Sequence, residues 1–137
     1  IQRLEAAKNI KLFDELNIMT AEETLARQSI MLSHYMGTVE METLCLVDML
    51  NKHVIPSATS ANGPVDKLRT CVSSLQTGLQ ACHAVQNEAE KAKAARKLRL
   101  ETIEGVRKVC DEFEAVCPAK DWTLSTYRDL LFLDQTD

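Results

Sequence analysis

The chain has 137 residues, a formal net charge of −4 and 45% hydrophobic residues, a composition that fits one globular domain. The small acidic excess argues against a nucleic-acid or anionic-membrane partner. The sequence contains no run of about 18 apolar residues, so we expect no membrane span. Four Gly and three Pro are few for this length and favour long helices over strands joined by turns. We therefore expect one all-α domain over residues 1–137.

The first two helices are predicted from apolar spacing and from capping residues. Residues 2–16 carry Leu4 and Leu12 on one face, and Asn17 ends this helix. Thr20 and Glu23 form a capping box that begins a second helix at residues 21–55. Pro56 is expected to stop that helix, and residues 57–63 read as a loop. The second helix has this apolar stripe: Leu25, Leu32, Met36, Val39, Leu46, Leu50 and Val54.

The third and fourth helices, at residues 64–85 and 88–117, carry seams of alternating three- and four-residue spacing, which predicts neighbours that run alongside. Pro64 opens the third helix, Asn87 with Glu90 reads as a second capping box, and Pro118 follows the end of the fourth. Whether the third and fourth helices join into one is left open. The two seams consist of Val65, Leu68, Val72, Leu75, Leu79 and Cys82, and of Ile103, Val106, Cys110, Phe113 and Cys117.

The C-terminal tail concentrates apolar side chains where chain ends are normally polar. Ser125 is expected to cap a short turn at residues 125–131. The fold prediction is a bundle of about four helices, mostly antiparallel and long, with a short aromatic tail docked on it. The tail either closes the end of the core or forms an interface with another domain or subunit. The predicted docking residues are Trp122, Tyr127, Arg128, Leu130, Leu131 and Phe132.

The sequence contains no nucleotide-binding, hydrolase or metalloprotease motif, so we name no catalytic, cofactor-binding or metal-binding residue. No Glu precedes His34, His53 or His83 by three residues, as a two-metal bundle would require. The five Cys form no C-x-x-C pair and are expected to be reduced, mostly as small core residues in a cytoplasmic protein.

Two further features, one histidine and one basic stretch, raise alternative functions. His83 raises the alternative of a phosphotransfer module, although the Lys and Gly that follow the His of such domains are absent. Five basic residues lie within nine positions, from Lys91 to Arg99, but they spread around the helix, Glu residues flank them and no aromatic side chain lies among them. A solvated helix surface is the better interpretation of this basic stretch.

Residues 122–132, WTLSTYRDLLF, resemble the C-terminal end of type III glutamine synthetases. Residues 106–116, VRKVCDEFEAV, are similar to the last long helix of that family, and residues 46–56, LVDMLNKHVIP, to an earlier segment. Residues 9–13, NIKLF, followed by TAEE at 20–23, are similar to the entry into this region. The matches follow the family order, whereas Thr123 and Ser125 stand where the family usually has Pro, and residues 84–95 are shorter than usual.

The resemblance implies a piece of a large, multi-subunit, cytoplasmic enzyme that ligates ammonia to glutamate with ATP and magnesium. Its active site would lie upstream, so this segment alone would not be an enzyme and would hold no cofactor. Ile1 in place of an initiator Met fits an excised segment. The implied role is structural or assembly, with the rest of the enzyme chain and neighbouring subunits of a homo-oligomer as partners. The alternative is a free-standing helical interaction or phosphotransfer module.

Overall fold

A computed structural model of the chain describes residues 4–132. All regular structure in this range is helical and it contains no strand, which confirms the all-α prediction. Four longer helices are followed by one short C-terminal helix, and the extent of the domain over residues 1–137 stays a prediction. The helices comprise Ala7–Glu15, residues 21–60, Val65–Ala84, residues 88–114 and Tyr127–Leu131.

The turn between the first two helices follows the predicted signals. Asn17 takes the left-handed conformation (φ 52°) that ends the first helix, and its N–H donates to the Asp14 carbonyl. The Thr20 hydroxyl accepts from the Glu23 N–H at 3.2 Å, and the Thr20 N–H donates to the Glu23 carboxylate at 2.8 Å. These hydrogen bonds, chiefly the one from the Thr20 backbone, lower the pKa of Glu23. The predicted capping box is therefore confirmed.

The prediction that Pro56 ends the second helix is wrong, because the helix continues to Ser60. Its α-helical part, Ala21–Met49, passes into a π-helical segment, Leu50–Val54, and then into a last α-helical segment, Ile55–Ser60. Pro56 lies in the first turn of that last segment, where a missing N–H is tolerated, and the wider π turns before it leave room for the ring.

The second helix ends instead at a left-handed turn. Asn62 has φ 54°, and the Gly63 N–H donates to the Ala58 carbonyl at 2.7 Å, as in a Schellman cap. Ser57 and Ala58, which the sequence placed in a loop, are 2% and 0% exposed. The extra turn of helix thus contributes to the core.

The third helix, Val65–Ala84, and the fourth are separate, which answers the question that the sequence left open. Val85 is extended, and the Asn87 side chain accepts from the Glu90 N–H at 3.1 Å. The Glu90 carboxylate bonds Lys93 at 2.6 Å instead of the Asn87 backbone, so only half of the predicted capping box forms. The fourth helix consists of Glu88–Lys97, a π-helical segment Leu98–Ile103, and Glu104–Glu114.

The core has two clusters, one toward each end of the third helix. The larger cluster joins the end of the second helix, the start of the third and the last segment of the fourth: Leu50, Val54, Ala58, Leu68, Val72, Leu75, Val106 and Phe113. The smaller cluster joins the middle of the second helix, the end of the third and the middle of the fourth: Met36, Val39, Leu79, Cys82, Ala95 and Leu98. The predicted seams of both helices lie largely in these clusters.

Two glycines permit close contacts between elements. A Cβ at Gly78 on the third helix would lie 2.6 Å from Leu98 Cδ1, and a Cβ at Gly63 would lie 2.5 Å from Phe113 Cε2. The backbone at Gly78 therefore lies directly against the Leu98 side chain, and the backbone at Gly63 against the Phe113 ring. None of the helices in residues 4–132 is long and apolar enough to cross a bilayer.

Candidate interaction groove

An apolar groove of about 820 Å³ lies between the second helix, the fourth helix and the C-terminal tail. Its volume falls within the range of binding clefts in proteins. We call it the tail groove. Its apolar lining consists of Met41, Cys45, Leu46, Met49, Val54, Ile103, Cys110, Trp122, Leu124 and Leu130.

The second helix forms its wall of the tail groove with a second apolar stripe. Met41, Cys45 and Met49 follow each other at four-residue intervals and so share one face of the helix. Met41 is 73% exposed and Cys45 is exposed, whereas Val39 and Leu50, which point more than about 100° away around the helix from Cys45, are buried completely. The sequence interpretation missed this stripe because it followed only the residues of the core-facing stripe, although the four-residue spacing was a readable signal.

Both π-helical segments border the tail groove. Val54 closes the segment on the second helix and Ile103 closes the segment on the fourth, and both side chains line the groove. A π turn inserts a residue into the helical register and changes the direction of the side chains that follow it. Such turns often occur at functional sites. Nothing in the sequence spacing indicated them.

The charged groups in the lining of the groove are largely paired. Arg99 donates to Glu42 at 2.9 Å, which ties the fourth helix to the second, and Arg107 lies 3.7 Å from Asp111 on its own helix. Glu114 completes the charged lining. The lining of the groove is thus mostly apolar, with the four charged residues Glu42, Arg107, Asp111 and Glu114 among it.

Burial, and to a smaller extent the nearby Cys71 thiol, Asp111 and Glu114, together raise the pKa of Cys110 to about 11. Burial also raises the pKa of Cys71. A thiol with so high a pKa stays protonated at neutral pH and is a poor nucleophile. Cys110 therefore lines the groove as an apolar side chain, and the described residues contain no disulfide at this position.

The connector before the short C-terminal helix is fixed to the bundle. The Trp122 ring meets Phe113 edge-on at a centroid distance of 6.0 Å, and Trp122 and Leu124 pack against the larger core cluster. Thr123 Oγ1 lies 3.1 Å from His53 Nδ1 on the second helix. The Trp122 Nε1–H is buried and has no acceptor among the described residues. A buried N–H without a partner costs roughly 1–3 kcal/mol.

Thr126, rather than the predicted Ser125, caps the short helix Tyr127–Leu131. The Thr126 N–H donates to Asp129 Oδ2 at 2.9 Å, and the Asp129 N–H donates to the Thr126 hydroxyl at 3.3 Å. Asp129 stands three residues after Thr126, which is the spacing that a capping box needs. The prediction for Ser125 ignored this partner and was wrong by one residue.

The structure brings only part of the predicted docking set to the groove. Trp122 and Leu130 line it, whereas Leu131 is 76% exposed and Phe132 is 50% exposed. Tyr127 and Arg128 belong to the short helix, but their side chains lie outside what the structure describes. The docking role of the whole set stays a prediction.

The remaining polar candidates show no converging chemistry. His83 Nε2 lies 3.1 Å from Glu40 Oε1 on a half-exposed surface, where it links the third helix to the second. Within residues 4–132 no group of three or more His, Cys, Asp or Glu could hold a metal ion. The residues present here therefore offer no fit for the magnesium that the resemblance implies, and we derive no catalytic step.

Two comparisons with known proteins both point to glutamine synthetases. The sequence pattern of the family described as glutamine synthetase C-terminal domain matches residues 1–75. A glutamine synthetase from Butyrivibrio fibrisolvens is 27% identical over 157 aligned residues, which cover 91% of this chain and 22% of that protein. The chain thus spans about a fifth of the length of this relative. Because the family pattern covers more than half of the sequence, the chain belongs to the glutamine synthetase C-terminal domain family.

Proposed function

We propose that this chain is the C-terminal helical, structural and assembly portion of a type III glutamine synthetase. The observation that carries the proposal is the agreement between the family match at residues 1–75 and the ordered resemblances that continue to residue 132. The relative supports the assignment to a large enzyme, since 157 aligned residues that make up 22% of it imply a length of about 700 residues.

The parent enzyme would ligate ammonia to glutamate with ATP and magnesium in the cytoplasm, at an active site upstream of this region. This segment would contribute no catalytic residue. Its partners would be the rest of the enzyme chain and neighbouring subunits of a homo-oligomer. We expect it to bind neither nucleic acid nor a membrane.

Within the bundle, we infer that the long helices are mostly antiparallel. The larger core cluster contains the end of the second helix and the start of the third, whereas the smaller cluster contains the middle of the second and the end of the third. The same alternation relates the third helix to the fourth. The Lys67–Glu112 ion pair of 3.0 Å joins the start of the third helix to the end of the fourth, which supports this arrangement.

We assign the tail an interface role rather than closure of the core alone. Trp122 and Leu124 contact the core, but Leu130, Leu131 and Phe132 are all at least half exposed. Apolar side chains left in water contribute little to the stability of a single domain, and exposed apolar patches commonly mark interaction sites. The exposed half of the tail is therefore the part expected to contact the rest of the enzyme or another subunit.

An antibody against residues 121–137 tests the assignment. It should precipitate from source-cell lysate a polypeptide of several hundred residues together with glutamine synthetase activity. A precipitated band near 15.3 kDa without that activity would contradict the proposal and favour the free-standing interaction or phosphotransfer module. A control precipitation with excess free peptide of the same sequence should lose both the band and the activity.

A further inference from the structure

The tail groove is an elongated trough between two helices. Its lining on the second helix extends from Met41 to Val54, which is about 20 Å, and its lining on the fourth helix extends from Ile103 to Glu114, about 17 Å. Spread over that length, the volume gives a cross-section on the order of 45 Å², about half that of a complete helix with its side chains. The groove therefore has room for one face of a bound helix of three to four turns.

The wall on the second helix suits an apolar stripe of such a helix. Met41 and Met49 are 73% and 38% exposed, and their unbranched side chains adapt to irregular apolar surfaces. Amphipathic helices bind grooves of this kind through apolar side chains spaced by three and four residues. The two methionines, with Leu46 between them, offer contacts over the whole length of the wall.

One carboxylate of the groove has no cation beside it. Arg99 lies 2.9 Å from Glu42 and Arg107 lies 3.7 Å from Asp111, whereas the Glu114 side chain makes no ion pair or hydrogen bond within residues 4–132. Glu114 is half-buried and is the last residue of its helix, where the negative end of the helix dipole disfavours an anion. A partly desolvated carboxylate in this position is stabilised by a cation.

This carboxylate lies toward one end of the groove. Its neighbour Phe113 belongs to the same core cluster as Val54, so Glu114 lies toward the Val54 end. The Glu42–Arg99 ion pair joins the two helices nearer the Met41 end. The groove thus combines an apolar trough with one unneutralised negative charge toward one end.

From this combination we propose that the tail groove binds an amphipathic helix of a separate protein, which lays an apolar stripe along the trough and places a Lys or Arg against Glu114. This partner goes beyond the proposed structural and assembly function. Interfaces between permanently associated chains are more hydrophobic than others, and charge is depleted at their centres. Four charged residues in the lining are typical of a contact that forms and dissociates.

Fluorescence of Trp122, the single Trp of the chain, reports occupancy because its ring lines the groove. The full 137-residue chain is titrated with synthetic helical peptides of about 14 residues that contain no Trp. Each peptide has Leu at alternating three- and four-residue spacing and two Lys at one end. The Lys stand at the N-terminal end in one peptide and at the C-terminal end in the other, which samples both directions. We expect a saturable change in Trp122 emission, with a Kd of about 1–50 μM for the better peptide.

The charge of the peptide tests the role of Glu114. In matched control peptides two Glu replace the two Lys, and these should bind at least about tenfold more weakly. Glu114→Gln should reduce this preference about three- to tenfold. Glu112→Gln is the control on the same helix, because Glu112 is outside the groove lining and pairs with Lys67, and it should leave the preference unchanged. Met49→Gln should weaken basic and acidic peptides alike, and circular dichroism verifies that each variant is folded.

Each contrary result overturns the proposal in a different way. Equal affinity for basic and acidic peptides, or a preference that survives Glu114→Gln, would contradict the pairing with Glu114. Trp122 emission that no peptide changes would refute helix binding, and binding of the apolar dye anilinonaphthalene sulfonate in the same sample would then assign the groove to a small apolar molecule. Peptide binding that weakens as the chain concentration rises would assign the groove to a second copy. None of these results affects the antibody precipitation, so this proposal and the proposed function fail independently.

Discussion

The contact between Gly78 and Leu98 gives a prediction in which two effects of opposite sign compete. In the interior of an exposed helix, Gly→Ala stabilises by about 1 kcal/mol through backbone entropy. At Gly78 the new Cβ would lie 2.6 Å from Leu98 Cδ1, more than about 1 Å inside the optimal carbon–carbon distance. Leu98 is only 3% exposed and begins a π-helical segment, so its side chain has little space to move away.

Overpacking of a core in this way typically costs about 1–3 kcal/mol. After the gain in helix propensity, Gly78→Ala should destabilise the chain by up to about 2 kcal/mol. Gly37→Ala is the matched control, since no atom lies within 4 Å of a Cβ there, and it should stabilise by roughly 0.5–1 kcal/mol. The free energies of unfolding of the two variants should therefore differ by about 0.5–3 kcal/mol, with Gly78→Ala the less stable.

Urea unfolding, followed by circular dichroism and by fluorescence of the single Trp, measures both free energies. The double variant Gly78→Ala with Leu98→Ala should be more stable than the sum of the single changes, because the added methyl occupies space that the leucine vacated. If Gly78→Ala stabilises as much as Gly37→Ala, or if the double variant is strictly additive, the close approach of the third and fourth helices is wrong.

Three further predictions follow from the groove and the caps. Trp122→Phe should destabilise the chain by less than about 1 kcal/mol, because the loss of apolar area is offset by removal of a buried N–H that has no acceptor. Trp122→Ala should cost about 2–4 kcal/mol in the same unfolding assay. The pKa of Glu23 in the folded chain is lowered from 4.5, so the stability that its ionised carboxylate contributes is complete above pH 4.5. That contribution is lost as the pH falls through the lower pKa of the folded state. Glu23→Gln should flatten this part of the pH–stability curve, and an unchanged curve would contradict the capping argument. Iodoacetamide at pH 8 should modify exposed Cys45 before Cys110, whose pKa is raised to about 11, and before Cys82, which is 1% exposed. Peptide mass mapping measures the rates, and equal rates at Cys45 and Cys82 would refute the burial of Cys82.

The sequence predicted helix positions well wherever local signals and packing agreed. Thr20 with Glu23 began the second helix as expected, and the seams of the third and fourth helices enter the core. The error at Pro56 has a physical cause. A proline is a stop signal in a regular α-helix, but a π turn directly before it changes the register, and the π turn depends on tertiary packing rather than on composition.

The groove was harder to predict from the sequence than the fold was. The predicted docking residues pointed to the tail, and the structure places Trp122 and Leu130 of that set at the groove. The opposite wall, formed by Met41 and Cys45, was missed because a four-residue apolar spacing on a long helix is compatible with burial or with exposure. Only the relative position of the second and fourth helices decides between the two.

The large apolar residues of this chain divide into a buried set and an exposed set. Leu50, Leu68 and Leu75 are completely buried, and truncation of each to Ala should cost about 2–5 kcal/mol of the free energy of unfolding. Met41 and Leu131 are 73% and 76% exposed, so their replacement removes little burial within one copy. Met41→Ala or Leu131→Ala should therefore barely change the melting temperature of the chain, whereas Leu68→Ala should lower it clearly. Under the assembly role that we propose, the exposed set is the one expected to contact the rest of the enzyme or another subunit.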